Sequence, residues 1–160
     1  MIDGYLFPLT VVAAVGCGIV AGLFFAFSVM VMRSLAQLPA IHGIAAMQAI
    51  NRTAYTPAFA VVFAGTALAS AAVVVGSLID WDDASPYLLA GGLLSLVGVY
   101  ALTGGYHIPR NEALDRLEPS AADAAGHWTR YVREWTTWNH VRGVAALAAA
   151  ALFTIALHVR

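Results

Sequence analysis

Hydrophobic residues along the chain form four long stretches that contain no Asp, Glu or Arg, at positions 5–32, 53–79, 84–109 and 143–159. A helix needs about 20 apolar residues to cross a hydrocarbon core roughly 30 Å thick. The first three stretches are long enough, whereas the fourth covers only about 26 Å and must continue upstream, near Trp138. None shows the alternation of a barrel strand. The sequence therefore predicts an all-α integral membrane four-helix bundle, with spans at about 6–32, 55–79, 86–106 and 138–158.

The two longer connections are expected to form short helices at the membrane interface. Apolar and polar residues between Pro39 and Arg52 recur with a helical period. After Pro119, Ser120 is suited to cap a helix, with Asp123 three residues later. We predict interfacial helices at about 40–52 and 120–137. No linker or repeat divides the chain, so 1–160 is expected to be a single membrane domain.

Composition excludes a water-soluble globule, a disordered tail and a nucleic-acid-binding protein. Hydrophobic residues make up 61% of the chain and charged residues 11%, against roughly 45–50% and about 25% in soluble domains. All 8 basic residues are Arg. Seven fall in the first and third connections and one, Arg160, on the opposite side, so the positive-inside rule predicts cytoplasmic loops at 33–54 and 107–137. The expected location is the cell membrane, multi-pass, with both termini outside.

Small residues recur at fourfold spacing within the spans. Ala14, Gly18, Gly22 and Ala26 form one row in the first span. Such rows let helix backbones approach closely, so we expect tight packing within the bundle, and the rows also permit homo-oligomerisation.

The segment leading into the fourth span combines aromatic and polar side chains on one helical face. At 100° per residue, Trp135, Trp138, Asn139 and Arg142 fall in one sector, while His140 points about 100° away from Asn139. One interpretation of the segment is an aromatic belt at headgroup level with snorkelling arginines. The short fourth span also draws Asn139 and Arg142 to the hydrocarbon edge, where buried polar groups need partners.

A second polar set lies at the exit of the third span and meets the first at the same end of the bundle. Its candidate residues are Thr103, His107 and Asn111, joined from the first connection by Gln48 and Asn51. A site lined by aromatic residues and a few polar groups is typical of a pocket for a flat apolar ligand.

Metal binding is the weaker interpretation of the same residues. His107 and His140 could meet in space, with Glu112 or His42 nearby, but no pair has the i, i+3 or i+4 spacing of a known metal site. No cofactor motif is apparent, so no metal ligands are predicted, and a transition metal is left open as the alternative.

The chain resembles the anthrone oxygenase-like family of integral membrane proteins. Four segments carry the resemblance in family order, GLFFAFSVMVM (22–32), MQAIN (47–51), IPRNEAL (108–114) and WTTWNHVR (135–142), of which the last is the most specific. The family's third-span exit usually reads Asn-Val-Pro-Leu-Asn. Here an imidazole, His107, replaces the neutral amide, Arg110 adds a cation, and Arg33 stands where a proline is expected.

The resemblance implies oxygenation by O₂ of a polycyclic phenolic anthrone or a similar flat aromatic, without an obvious cofactor. A base removes a proton from the acidic methylene, and an oxyanion must then be stabilised. Under this implication His140 is the first candidate base and His107 an additional one. The other assigned roles are anion binding by Arg142 and Asn139, orientation by Asn111, stacking by Trp135 and Trp138, and substrate contact by Thr103, Asn51 and Gln48.

A non-enzymatic alternative is a membrane subunit or assembly partner whose polar cluster only locks helix ends together. In that case Asn139, His140 and Arg142 would bond the backbone of the neighbouring loop. The two hypotheses differ in whether the polar cluster lines an open, ligand-sized cavity or is fully bonded and packed.

Overall fold

A computed structural model describes residues 4–54 and 56–159 and consists of helices joined by short connections. We number the continuous helices α1 (Leu6–Ala36), α2 (Ala40–Thr53), α3 (Pro57–Ile79), α4 (Ser85–Asp115) and α5 (Ala124–Val159). All but α2 are long and apolar enough to cross a membrane. The protein is therefore a multi-pass membrane protein, and the predicted all-α class with four spans is confirmed.

The four long helices form a ring in which each is antiparallel to both neighbours. α1 packs against α3 and α5, and α4 packs against the same two helices on the opposite side. Large apolar side chains such as Val61, Leu68, Val144 and Leu147 are exposed on the outer faces. In water such an apolar surface would be unfavourable, so these faces contact the lipid bilayer.

Small residues bring the helix backbones together, but those of α1 are not the residues of the predicted row. Gly18 and Gly22 lie on the exposed face, where an added methyl group would meet nothing. The close approach is made at Gly16, which is buried against the side chain of Thr66 on α3. Fourfold spacing in the sequence identifies rows of small residues. Only the position of α3 determines which of these rows packs against a neighbouring helix.

Helix α5 is one element of 36 residues. The predicted interfacial helix at about 120–137 and the predicted span at 138–158 are continuous here, since no proline or glycine pair breaks the chain between Ala124 and the membrane span. Ser120 does not cap the helix, since its hydroxyl donates to Glu118 instead. At 1.5 Å per residue α5 is about 54 Å long, so its first turns extend beyond the hydrocarbon core.

Helix α4 also continues beyond its predicted end, through Pro109 to Asp115. Proline lacks an N–H group and its ring displaces the carbonyl one turn earlier, which normally ends or kinks a helix. Here the turn immediately before it, Thr103–His107, is a π-helical turn that accommodates the lost hydrogen bond.

The amphipathic helix α2 closes one end of the bundle. Gly43 lies against the indole of Trp128, where a Cβ atom would come within 2.8 Å of the ring. Gln48 donates 2.9 Å hydrogen bonds to the carbonyls of Leu114, in the last turn of α4, and Leu117, just after it. These contacts attach α2 to α4 and α5. Which side of the membrane this end faces stays a prediction from the arginine distribution.

Helices α3 and α4 diverge at the same end. They are packed together along the first half of α4, from Ser85 to Ala101, where Ser70 and Ser95 share a 2.9 Å hydrogen bond. Towards the start of α3, Ala60 and Ala64 are exposed, and Gly104 on α4 has open space beside it. The divergence leaves a space between the helices beneath α2.

The close approach of α1 and α3 generates a stability prediction. Gly16→Ala places a methyl group against Thr66, a short side chain that cannot move aside, and overpacking of this kind typically costs about 1–3 kcal/mol. We expect a lower midpoint of thermal unfolding in detergent. Gly18→Ala, two residues away on the exposed face, is the matched control and should unfold no earlier than the wild type. Equal effects of both substitutions would contradict this packing.

Candidate functional site

A cavity of about 770 Å³ occupies the space between the diverging helices. Its volume is within the range of small-molecule binding pockets. All five helices contribute to its wall, with Phe24 and Phe27 from α1, Met47 and Asn51 from α2, Phe59 and Phe63 from α3, Thr103, His107 and Asn111 from α4, and Trp135 and Arg142 from α5. The cavity is thus a mainly apolar space with a few polar groups.

Two π-helical turns shape the helices that line this cavity. The turn Phe27–Val31 in α1 follows Phe24, whose carbonyl accepts a 2.7 Å hydrogen bond from the amide of Asn139. The turn Thr103–His107 in α4 ends at the buried imidazole. A π-turn changes the register of a helix by one residue and frees backbone groups, and such turns are frequent at functional sites.

His107 is buried without a hydrogen-bond partner. Its side chain is 1% exposed, and neither ring nitrogen meets a partner among the residues that the structure describes. Backbone acceptors at Leu102 and Trp135 lie close to the ring without reaching hydrogen-bond geometry. The ring packs edge-on against the indole of Trp135 at 5.3 Å. An unpaired buried imidazole is costly in an apolar environment, and this one forms part of the cavity wall.

Arg142 is a buried cation without a carboxylate. Its guanidinium donates to Thr103 at 3.0 Å and to Asn139 at 2.6 Å, and it lies 4.2 Å from the ring centre of Phe24. The buried Nε atom has no partner, and no carboxylate within 4–54 or 56–159 forms an ion pair with Arg142. A buried charge without a counter-ion is destabilising by several kcal/mol in general, so this position favours an anionic ligand.

Asn139 holds the arginine in place and ties α5 to α1. The side chain is fully buried and donates to the Phe24 carbonyl and to Ser28, both at 2.7 Å. Its own carbonyl oxygen accepts from Arg142. Both donors of the Asn139 amide are therefore engaged, and its oxygen fixes the position of the Arg142 guanidinium.

Asn111 and Asn51 stand at the opposite wall. The Asn111 carbonyl oxygen accepts from the Tyr131 hydroxyl at 2.9 Å and from the Trp135 indole at 3.0 Å. Its amide nitrogen has no hydrogen bond to any residue in the described parts of the chain, whereas Asn51 donates a long 3.4 Å bond to Asp115. Trp135 is therefore fixed in orientation while the Asn111 amide remains available to the cavity.

Three of the ten candidate residues lie away from the cavity, and a fourth, Asn139, is next to it without lining it. His140 is exposed on the outer face of α5, as expected from its angle to Asn139, and therefore does not meet the other candidates. Trp138 is 40% exposed and packs on Tyr106 at 5.0 Å. The amide group of Gln48 donates to the Leu114 and Leu117 carbonyls at the end of α4. The other seven are brought together: Asn51, Thr103, His107, Asn111, Trp135, Asn139 and Arg142, with Asn139 standing behind Arg142.

Sequence reasoning missed the aromatic wall on the other side of the cavity. Phe59 and Phe63 stack at 5.2 Å, and Phe63 packs on Tyr100 at 4.6 Å. Tyr100 donates a 2.8 Å hydrogen bond to the Phe63 carbonyl. The fourfold spacing of the two phenylalanines was the available signal, but in an apolar span it is also typical of a lipid-facing stripe.

The described residues contain no group of three His, Cys, Asp or Glu side chains close enough to hold a metal ion. His107 and His140, the pair considered for such a site, lie on different sides of the structure, one buried and one exposed.

Comparison with known proteins identifies the family. The sequence model described as anthrone oxygenase matches residues 52–152, which include α3, α4 and most of α5. Since the match covers more than half of the chain, the protein belongs to the anthrone oxygenase family. No curated protein and no solved structure matches the chain.

The position of Asn139 generates a second stability prediction. Asn139→Ala removes the hydrogen-bond partner of the Ser28 hydroxyl and of one Arg142 donor, and it leaves the Phe24 carbonyl with only its bond from the Phe27 N–H. Each buried group left unpaired costs about 1–3 kcal/mol. We expect a clear fall in the thermal unfolding midpoint in detergent. Thr137→Ala removes an exposed hydroxyl bonded only within its own helix and should have little effect. A stable Asn139→Ala protein would contradict the bridging role.

Proposed function

We propose that this member of the anthrone oxygenase family binds a flat phenolic aromatic in the cavity and oxygenates it with O₂, without a bound cofactor. The observation that carries the proposal is the pairing of two unsatisfied polar groups in one apolar cavity, the imidazole of His107 and the Nε of Arg142. One can accept a proton and the other can neutralise an oxyanion. Because the His107 imidazole and the Arg142 Nε atom are buried and have no hydrogen-bond partner in the described residues, we infer that a bound ligand is the partner of both groups.

The proposed reaction converts an anthrone methylene and O₂ to a quinone carbonyl and water. A base removes one methylene proton, leaving a carbanion whose charge is delocalised onto the ring oxygen. The carbanion passes one electron to O₂, and the resulting radical pair combines to a peroxide anion. This anion takes the proton back from the base to give a hydroperoxide. Loss of water breaks the O–O bond and the second C–H bond and forms C=O. The substrate supplies all the electrons, so the protein has to provide only a base, an anion site and a dry aromatic pocket.

His107 takes the role of base that we first assigned to His140. It lines the cavity, whereas His140 lies outside it. A general base must reach the proton that it removes, and geometry decides this before basicity does. A neutral imidazole with an unpaired nitrogen in an apolar pocket meets this requirement.

Arg142 is proposed to hold the enolate or phenolate oxygen. Its charge has no carboxylate partner in the described residues, so an oxygen that becomes negative during the reaction gains the whole interaction. Thr103 and Asn139 fix the direction of the guanidinium. Asn111 is proposed to orient the substrate through its free amide group.

The aromatic side chains are suited to a flat ring system. Trp135 has its indole fixed by Asn111, and Phe24, Phe27 and Phe63 add further apolar surface. Aromatic rings favour offset or edge contacts with another ring. Because Ala60 and Ala64 on the α3 side of the wall are exposed and small, we propose that an apolar substrate enters from the bilayer between α3 and α4.

The non-enzymatic alternative explains part of the polar cluster. Asn139 and Gln48 are fully engaged with the protein and act as structural links. His107, the Arg142 Nε and the Asn111 amide are not so engaged, and they line an open cavity of ligand size. This division favours a ligand-binding protein over an assembly partner.

The base assignment predicts different effects for two histidine substitutions. Turnover of a hydroxylated anthrone should fall about 10²–10⁴-fold in His107→Ala and remain near wild type in His140→Ala, since acid–base groups typically contribute that factor. Oxygen uptake and quinone absorbance measure turnover, after subtraction of spontaneous oxidation without protein. Quenching of the tryptophan fluorescence, to which Trp135 in the cavity wall contributes, by the product quinone tests whether the variant still binds.

His107→Asn provides a sharper test, because the family usually has an asparagine at this position. An asparagine fills the same space but cannot act as a base near neutral pH. Wild-type turnover by His107→Asn would rule out His107 as the base, and no turnover by the wild type on any hydroxylated anthrone would contradict the proposed function itself.

Substitutions of Arg142 distinguish the effect of its charge on turnover from the effect of its hydrogen-bonding geometry. Arg142→Gln should lower turnover about 10²–10³-fold, as expected for loss of one oxyanion donor. Arg142→Lys keeps the charge and should recover part of this loss, although it cannot reproduce both hydrogen bonds. Both variants are compared with the wild type in kcat and in thermal stability. Equal turnover by the Gln and Lys variants would contradict an electrostatic role.

A further inference from the structure

A second hollow, of about 350 Å³, lies between the end of α4 and the first turns of α5. None of its lining residues lines the cavity described above. Arg110 and Arg116 come from α4 and the turn after it, and Arg130 and Glu134 from α5, while Ala113, Leu114, Leu117, His127 and Tyr131 complete the wall. The hollow therefore combines three arginines with an apolar wall.

The arginines of this hollow are only weakly neutralised by protein carboxylates. Arg110 stands 3.7 Å from Glu134, beyond hydrogen-bond distance, and Arg116 forms an exposed pair with Glu112 at 3.2 Å. Arg130 has no ion pair or hydrogen bond within the described ranges of the chain. Exposed ion pairs contribute little, so an anion could compete for all three guanidinium groups.

The hollow is positioned at the edge of the bilayer. All of its lining residues fall between the uncharged stretches 84–109 and 143–159. A basic hollow between two spanning helices at this depth meets lipid phosphates before any soluble anion does.

We propose that this hollow binds the phosphate of an anionic phospholipid headgroup. Planar guanidinium groups form paired hydrogen bonds with phosphate oxygens, and basic pockets between membrane helices bind such headgroups. Leu114, Leu117 and Ala113 offer an apolar surface to the glycerol and the start of the acyl chains. A free phosphate would leave this surface unused, so the geometry favours the lipid. The proposal is independent of the chemistry in the first cavity.

The test is a lipid titration of the detergent-purified full-length protein, followed by native mass spectrometry. The probes are phosphatidylglycerol, phosphatidylcholine and soluble glycerol phosphate. Phosphatidylglycerol should bind best, and Arg110→Gln and Arg130→Gln should each weaken its binding about fivefold. Arg33→Gln makes the same change of charge at the exposed end of α1, outside the hollow, and should bind as the wild type does.

Three results would overturn the proposal. Equal binding of phosphatidylcholine would show that charge does not select the lipid, and an equal loss in Arg33→Gln would show that only overall charge matters. Glycerol phosphate binding as tightly as the lipid would identify a soluble phosphate compound as the ligand. If Arg110→Gln does not fold, Arg130→Gln alone gives the answer, because the exposed Arg130 side chain has no ion pair within the described ranges.

Discussion

Asn139 makes the hydrogen bonds on which the site end of the bundle depends. Its amide bridges to α1 through the Phe24 carbonyl and the Ser28 hydroxyl, and its oxygen holds Arg142. In a hydrocarbon environment a buried polar group has no water to bond with, so its partners must come from the protein. The Asn139 side chain thereby bonds to three buried polar groups, and it also determines where the Arg142 guanidinium lies.

The remaining polar groups in the membrane-spanning region separate into two classes. Ser70 and Ser95 share a hydrogen bond, and Tyr100 donates to the Phe63 carbonyl, so these side chains join α3 to α4, while Thr66 bonds to a carbonyl within α3. His107 and the Arg142 Nε are buried and unpaired beside an open cavity. A bundle built only for stability would have little reason to retain two such groups, because an apolar replacement of similar size would avoid the desolvation cost. This contrast makes the cavity, and not the polar cluster as a whole, the basis of the functional proposal.

Helix α5 connects the cavity with the membrane surface. Its apolar half packs in the ring, its middle supplies Trp135, Asn139 and Arg142, and its first turns carry Arg130 and Tyr131 beyond the hydrocarbon core. The hydroxyl of Tyr131 bonds to Asn111 in the cavity wall, while its ring borders the basic hollow. A lipid bound there would therefore lie one side chain away from the group that orients Trp135.

The sequence by itself determined the four spans, the family, and the shared face of Trp135, Asn139 and Arg142, with His140 turned away. These features depend on hydropathy and on the 100° period, which are local properties of a helix. The tertiary structure alone decided that Gly16 and not Gly18 faces α3, that Asn139 is structural, and that His107 is the buried histidine. Each of these depends on where a neighbouring helix lies and on π-turns that shift the register by one residue. A periodic pattern in the sequence shows neither where a neighbouring helix lies nor where the register shifts. Every face of a membrane helix is apolar, so only contact with another helix distinguishes one face from another.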